Sequence, residues 1–167
     1  AYLLRRCLFG VTKNNLTEFK SLSMEQAVNS LLQASPTPPV PLNKYDGSED
    51  GIKDPHVAFG ETFVTAPHAG DIESQRIISL KGWHIHNMIN QEPTLHEKMI
   101  FFWHNLLPTL SWDVYIAKTS YVYSEMLRRN ALGNYKTLIR ELTTDPCMLI
   151  FLNGAANVKE APDENYG

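Results

Sequence analysis

The stretch that most constrains this chain runs from Glu92 to Pro108, E-P-T-L-H-E-K-M-I-F-F-W-H-N-L-L-P. Leu95, Met99, Phe102 and Leu106 recur at i, i+4, i+7 and i+11, one stripe of a helix. Ile100, Trp103 and Leu107 form an adjoining stripe, and Phe101 lies away from the first. Thr94 followed by Glu97 has the form of a capping box, and Pro93 and Pro108 bracket the segment. The pattern predicts a helix from Thr94 to Leu107, apolar nearly all round and therefore buried at the centre of a larger core. Glu97 and His104 stand two turns apart on one face of it, with Lys98 and Asn105 beside them. Glu97 reads either as a cap or as a carboxylate that holds His104, and His104 either as a core histidine with a partner or as a site residue.

The flanking sequence is also helical. Segments at about 2–9, at 12–19 opened by Thr12, and at 23–32 opened by Ser23 with Gln26 form a compact lead-in. Asp71 caps a helix to about Asn90, with a broad apolar face that includes Ile77, Leu80 and Trp83. A long helix follows from about Asp113 to Ala131, stopped by Gly133. Asn134 opens the next, and Asp145-Pro146 opens M-L-I-F-L, with a cap and then proline in the first turn. The fold class predicted is all-α, an irregular bundle of about seven helices around the central one, in a single domain over 1–167.

Between about 35 and 69 the chain changes character. The run S-P-T-P-P-V-P-L-N-K-Y-D-G-S-E-D-G predicts a long loop with extended proline segments, anchored through Phe59, Phe63 and Val64. A loop of this length in a compact domain carries a function or is loosely held.

Of 167 residues, 43% are hydrophobic and 20% charged, an ordinary globular balance with one sizeable core. A net charge of -3 argues against a generally basic, nucleic-acid-binding surface. No apolar run reaches membrane-spanning length. Cys7 and Cys147 lack metal-type spacing and read as free thiols in apolar surroundings. His84 and His86 would point roughly 200° apart on a helix and do not form a chelating pair. His56 and His68 read as solvated loop residues. Walker loops, dinucleotide fingerprints, nucleophile elbows and H-E-x-x-H are absent. No metal site and no cofactor are assigned.

Four segments, in order and spanning almost the whole chain, resemble the bacterial family catalogued as domain of unknown function 1800. They are L-L-R-R-C-L-F-G-V-T, L-H-E-K-M-I-F-F-W-H-N, R-R-N-A-L-G-N-Y, and D-P-C-M-L-I-F-L-N-G-A-A-N-V-K-E-A-P-D-E-N-Y. The resemblance implies a helical fold and the N-terminal portion of a longer protein. It also implies an exported setting (periplasmic, cell-surface or secreted), because family members often carry export signals. It implies no catalytic residues. Where the family usually places a second histidine after W-H-N, this chain has Leu106, which weakens a two-histidine metal site. The terminal Asp163-Glu164-Asn165-Tyr166 resembles the family's N-E-N-Y, after which the family continues into a further helix; contact with such a C-terminal portion is expected.

Two functions are compatible with these features. One is a structural or interaction domain of an exported bacterial protein. The other is a hydrolase acting on an envelope or extracellular polymer. Its catalytic candidates are His104, Glu97 and Glu164, and its binding candidates are Asn105, Arg128 and Asn165.

Overall fold

The structure is a computed structural model that describes residues 1–46 and 52–164. Among these residues the fold is all-α, without a sheet. The helices are α1 (Tyr2–Cys7), α2 (Lys13–Lys20), α3 (Met24–Leu31), α4 (Glu73–Ile89), α5 (His96–Leu106), α6 (Ser111–Val114), α7 (Ala117–Asn130), α8 (Tyr135–Leu142) and α9 (Pro146–Phe151). A 3-10 turn, Gly154–Ala156, follows α9. No helix among the described residues is long and apolar enough to cross a membrane.

Local signals open several of these helices where the sequence places them. Thr12 and Asn15 cap α2 reciprocally, and Ser23 and Gln26 do the same for α3. The Asn134 side chain accepts from the amides of Lys136 and Thr137. Asp145 accepts from those of Cys147 and Met148, with Pro146 in the first turn. The predicted helix from Asp113 to Ala131 is divided: Tyr115 takes a left-handed conformation (φ 51°), which ends α6 before α7 begins.

Two expected caps are not made. Neither Asp71 nor the Thr94–Glu97 box caps its helix; α4 and α5 begin behind Ile72 and Leu95 without side-chain caps. The glutamates of their first turns, Glu73 and Glu97, turn inward to buried arginines instead. Glu73 also accepts from the Ala117 amide at 2.8 Å, so α4 supplies the cap that α7 lacks in its own sequence.

The main core is built on α7. Tyr123, Met126 and Leu127 pack with Ile100 of α5, Leu138 of α8 and Cys147 and Met148 of α9. A second cluster joins Ile77 and Leu80 of α4 to Val57 and Phe63 of the long loop and to Ala117. Leu4, Leu8 and Leu31 form a third under the lead-in helices. Cys7 and Cys147 are free and belong to different clusters.

The long loop is fixed rather than loose where it is described. Pro39 accepts from the Trp83 indole at 2.6 Å, Pro41 from the Thr62 hydroxyl, and Leu42 from the Ser79 hydroxyl. Leu42 and Thr62 form an isolated antiparallel bridge. Deeper in, Arg76 grips Asp54 through Nε and Nη2, both at 2.8 Å. Tyr45 donates to the same carboxylate. Phe63 carries out its predicted anchoring at 1% exposure, whereas Phe59 is 62% exposed and anchors nothing.

Candidate functional site

The buried face of α5 is not its most apolar one. Phe101, Phe102 and Leu106 are 44%, 49% and 54% exposed, whereas His96 and Glu97 are 5% and 6% exposed. The face against α7 carries His96, Ile100, Trp103 and Leu107, spaced i, i+4, i+7 and i+11, with Glu97 at its flank. The expectation of a helix buried all round is therefore corrected. One polar-aromatic stripe is buried, and the phenylalanine ridge faces outward.

Glu97 meets Arg128 of α7 in a buried ion pair through Nη1, with Nη2 3.3 Å from the second carboxylate oxygen. Arg128 Nε lies 3.3 Å from Glu125, one helical turn back. The face of the Trp83 ring completes the enclosure, 5.7 Å from the guanidinium carbon. Two carboxylates thus offset one buried cation. Burial raises the pKa of Glu125, an effect opposed by Arg128.

His96 ties this pair to the long loop. Its Nδ1 accepts from the Ser35 amide at 2.9 Å, which leaves Nε2 to carry the proton and donate to the Arg128 carbonyl at 2.8 Å. Beside it, Ser35 and Thr94 share a hydroxyl–hydroxyl bond of 2.8 Å. A groove of about 430 Å³ opens next to these groups, lined by Ser35, Thr37, His96, Glu125, Arg128 and Arg129 among others.

A second polar contact lies between α4 and α7. His84 Nε2 is 2.9 Å from Ser124 Oγ, whose hydroxyl also donates to the Ser120 carbonyl at 2.8 Å. Burial, then the electrostatic influence of His104 and Arg128, holds the His84 pKa down at about 4. His84 is therefore neutral at neutral pH. His86 sits on the exposed side of the same helix, hydrogen-bonded to Asn90. Helical geometry separates the H-x-H pair as expected.

The sequence candidates are distributed as follows. Glu97 and Arg128 are joined directly. His104 packs edge-on against Tyr123, at 5.8 Å between ring centres, with part of its surface exposed; burial lowers its pKa. Asn105 is exposed and donates to the Phe101 carbonyl one turn back. Neither His104 nor Asn105 lines the groove. Glu164 is exposed on the C-terminal turn, and among the described residues no hydrogen bond or ion pair joins it to α5. Asn165 lies outside the described residues. Among the described residues no three histidine, cysteine, aspartate or glutamate side chains converge as metal ligands.

The sequence assigns no role to three residues of this region, His84 among them beyond its exclusion as a chelating pair with His86. His96 extends the Ile100–Trp103–Leu107 stripe by one turn, a signal available from spacing. His84 falls on the apolar face of its helix with Ile77 and Leu80, also a spacing signal. Ser124 has no such mark, because its partner lies 40 positions away.

No curated protein and no solved structure matches the chain. A family model does, over residues 2–167, and its description is "Protein of unknown function (DUF1800)". That match takes in α1 to α9 and the long loop, and with nearly the whole sequence accounted for, the chain belongs to the DUF1800 family.

Proposed function

We propose that this chain is a structural or interaction domain of an exported bacterial protein. The observation that carries this reading is the use made of Glu97. The carboxylate that would serve a catalytic histidine is committed to Arg128 inside the α5–α7 contact, while His104 points elsewhere. His96, Glu73, Asp54 and Arg76 are likewise spent on cross-links between elements. Polar groups so consumed fix packing and registry rather than present reactive atoms. The exported setting rests on the family resemblance. Fractionation of cells producing the native protein tests it: recovery with periplasmic, envelope or secreted material supports export, and recovery in the cytosol alone contradicts it.

The hydrolase reading is kept for one observation, the Ser124–His84 contact with a neutral imidazole. A neutral histidine 2.9 Å from a hydroxyl has the proton-accepting form that a nucleophilic serine requires. Against it, Ser124 is 5% exposed and gives its proton to Ser120. A fluorophosphonate probe decides between the readings. Labelling lost in Ser124→Ala supports the hydrolase, and an unlabelled, folded protein supports the structural domain.

A further inference from the structure

A half-open groove of about 420 Å³ runs along α4, lined on one side by the 39–42 segment and on the other by Gly82, Trp83 and Asn87. Three independent features of its lining call for an occupant. The first is Gly82, in the interior of α4, where glycine is the poorest helix former after proline. Its φ is not positive, and an added Cβ would meet nothing within 4 Å. Neither backbone geometry nor packing requires glycine there. What the missing side chain does is keep the groove open.

The second feature is Asn87. It is 8% exposed, its Nδ2 is buried without a partner, and among the described residues its amide makes no hydrogen bond. Buried amides are nearly always satisfied, and rotating this one would exchange its ends without pairing both. The third is charge. Lys44 also lines the groove, is exposed and makes no ion pair among the described residues, and no aspartate or glutamate shares the lining. His86, whose ring bonds to Asn90, also reaches the lining, and the rest of the surface is largely apolar and held in place. The Trp83 indole proton is spent on the Pro39 carbonyl and the Ser79 hydroxyl on Leu42, so the indole ring and the Pro39–Pro41 wall present hydrocarbon.

We propose that this groove binds a small apolar carboxylate. Its hydrocarbon body lies over Gly82 against Trp83 and the proline wall, its carboxylate pairs with Lys44, and the Asn87 side chain turns toward the groove so that its amide gains the hydrogen bond it lacks. The volume falls in the range of small-molecule sites, and the charge selects an acid over an amine.

The probes are phenylacetate and octanoate, with 2-phenylethylamine as the charge-reversed control, followed by NMR at the Trp83 indole and Asn87 side-chain signals. The expected result is saturable shifts at both signals with at least one acid and none with the amine. Gly82→Leu, which fills the groove, should weaken binding about tenfold or more without lowering the melting temperature. Lys44→Ala should weaken the acid while leaving the fold unchanged. If Gly82→Leu does not fold, Gly82→Ala takes its place, with a smaller loss of affinity in the same direction. Absence of saturable shifts with either acid up to about 20 mM overturns the proposal. Equal binding of the amine, or affinity unchanged in a folded Gly82 variant, does the same.

Discussion

Glu97 and Arg128 face each other across the α5–α7 contact with both side chains less than a tenth exposed. The pair is charge-balanced and multiply bonded, as a buried ion pair must be to repay its desolvation. Around it the helices are locked through backbone groups. His96 reaches the Arg128 carbonyl on one side and the Ser35 amide on the other. One short stretch of α5 therefore holds both the neighbouring helix and the start of the long loop.

The histidine of that arrangement is directly testable. His96→Ala removes two hydrogen bonds to the backbone and leaves a part-buried N–H and a buried C=O unpaired, a loss of roughly 2–6 kcal/mol at about 1–3 per group. Denaturant unfolding measures the loss. Hydrogen exchange at the Ser35 amide should accelerate before that of the α7 core. Unchanged protection of Ser35 would show that the loop is held by other means.

The anchor of the long loop predicts an acid-side effect. Burial opposes ionisation of Asp54, but Arg76, the His56 amide and the Tyr45 hydroxyl together hold its pKa at about 2. The unfolded chain, with an ordinary carboxylate near 3.8, takes up the proton first. The stabilisation is thus complete above about pH 4 and is lost as pH falls through about 2, a change on the order of 2 kcal/mol. Asp54→Asn should abolish this part of the pH dependence in unfolding measurements between pH 2 and 5.

His84 acts in a higher window and with its own sign. Its folded pKa is about 4 against 6.5 for the unfolded residue, so the unfolded state binds the proton first as pH drops. Stability falls from pH 6.5 to about 4 and then levels off, by roughly 3 kcal/mol in total. The His84→Gln variant should lack this slope. In the folded protein its imidazole resonances should stay neutral-like at pH 5.5; a midpoint near 6.5 would contradict the buried contact with Ser124.

How much of this was legible in the sequence depends on how far each signal reaches. Ser23 with Gln26, Asn134, and Asp145 with Pro146 act within one turn, and their helices begin where those residues place them. Glu73 and Glu97 show the limit. A glutamate in a first turn suits the helix dipole equally well whether it faces solvent or a distant arginine, and the partner of Glu97 is 31 residues away. The hydrophobic period of α5 was real, but the aromatic ridge it marked lies outward, and the buried stripe begins at a histidine. Composition favours burial of phenylalanine; the partnering of Glu97 and His96 by α7 decided which face turned inward. Ser35–His96, 61 residues apart, carries no local trace.

The most direct test of the structural reading is a double-mutant cycle on Glu97 and Arg128, read by urea unfolding of the wild type, Glu97→Leu, Arg128→Met and the double variant. Arg128→Met leaves the buried Glu97 carboxylate unpaired and should cost about 3–5 kcal/mol, Glu97→Leu leaves Arg128 with Glu125 alone and should cost less, and the double variant recovers most of the larger loss. Single variants as stable as the wild type, with no coupling between the positions, would contradict the account and return Glu97 to the candidates for chemistry.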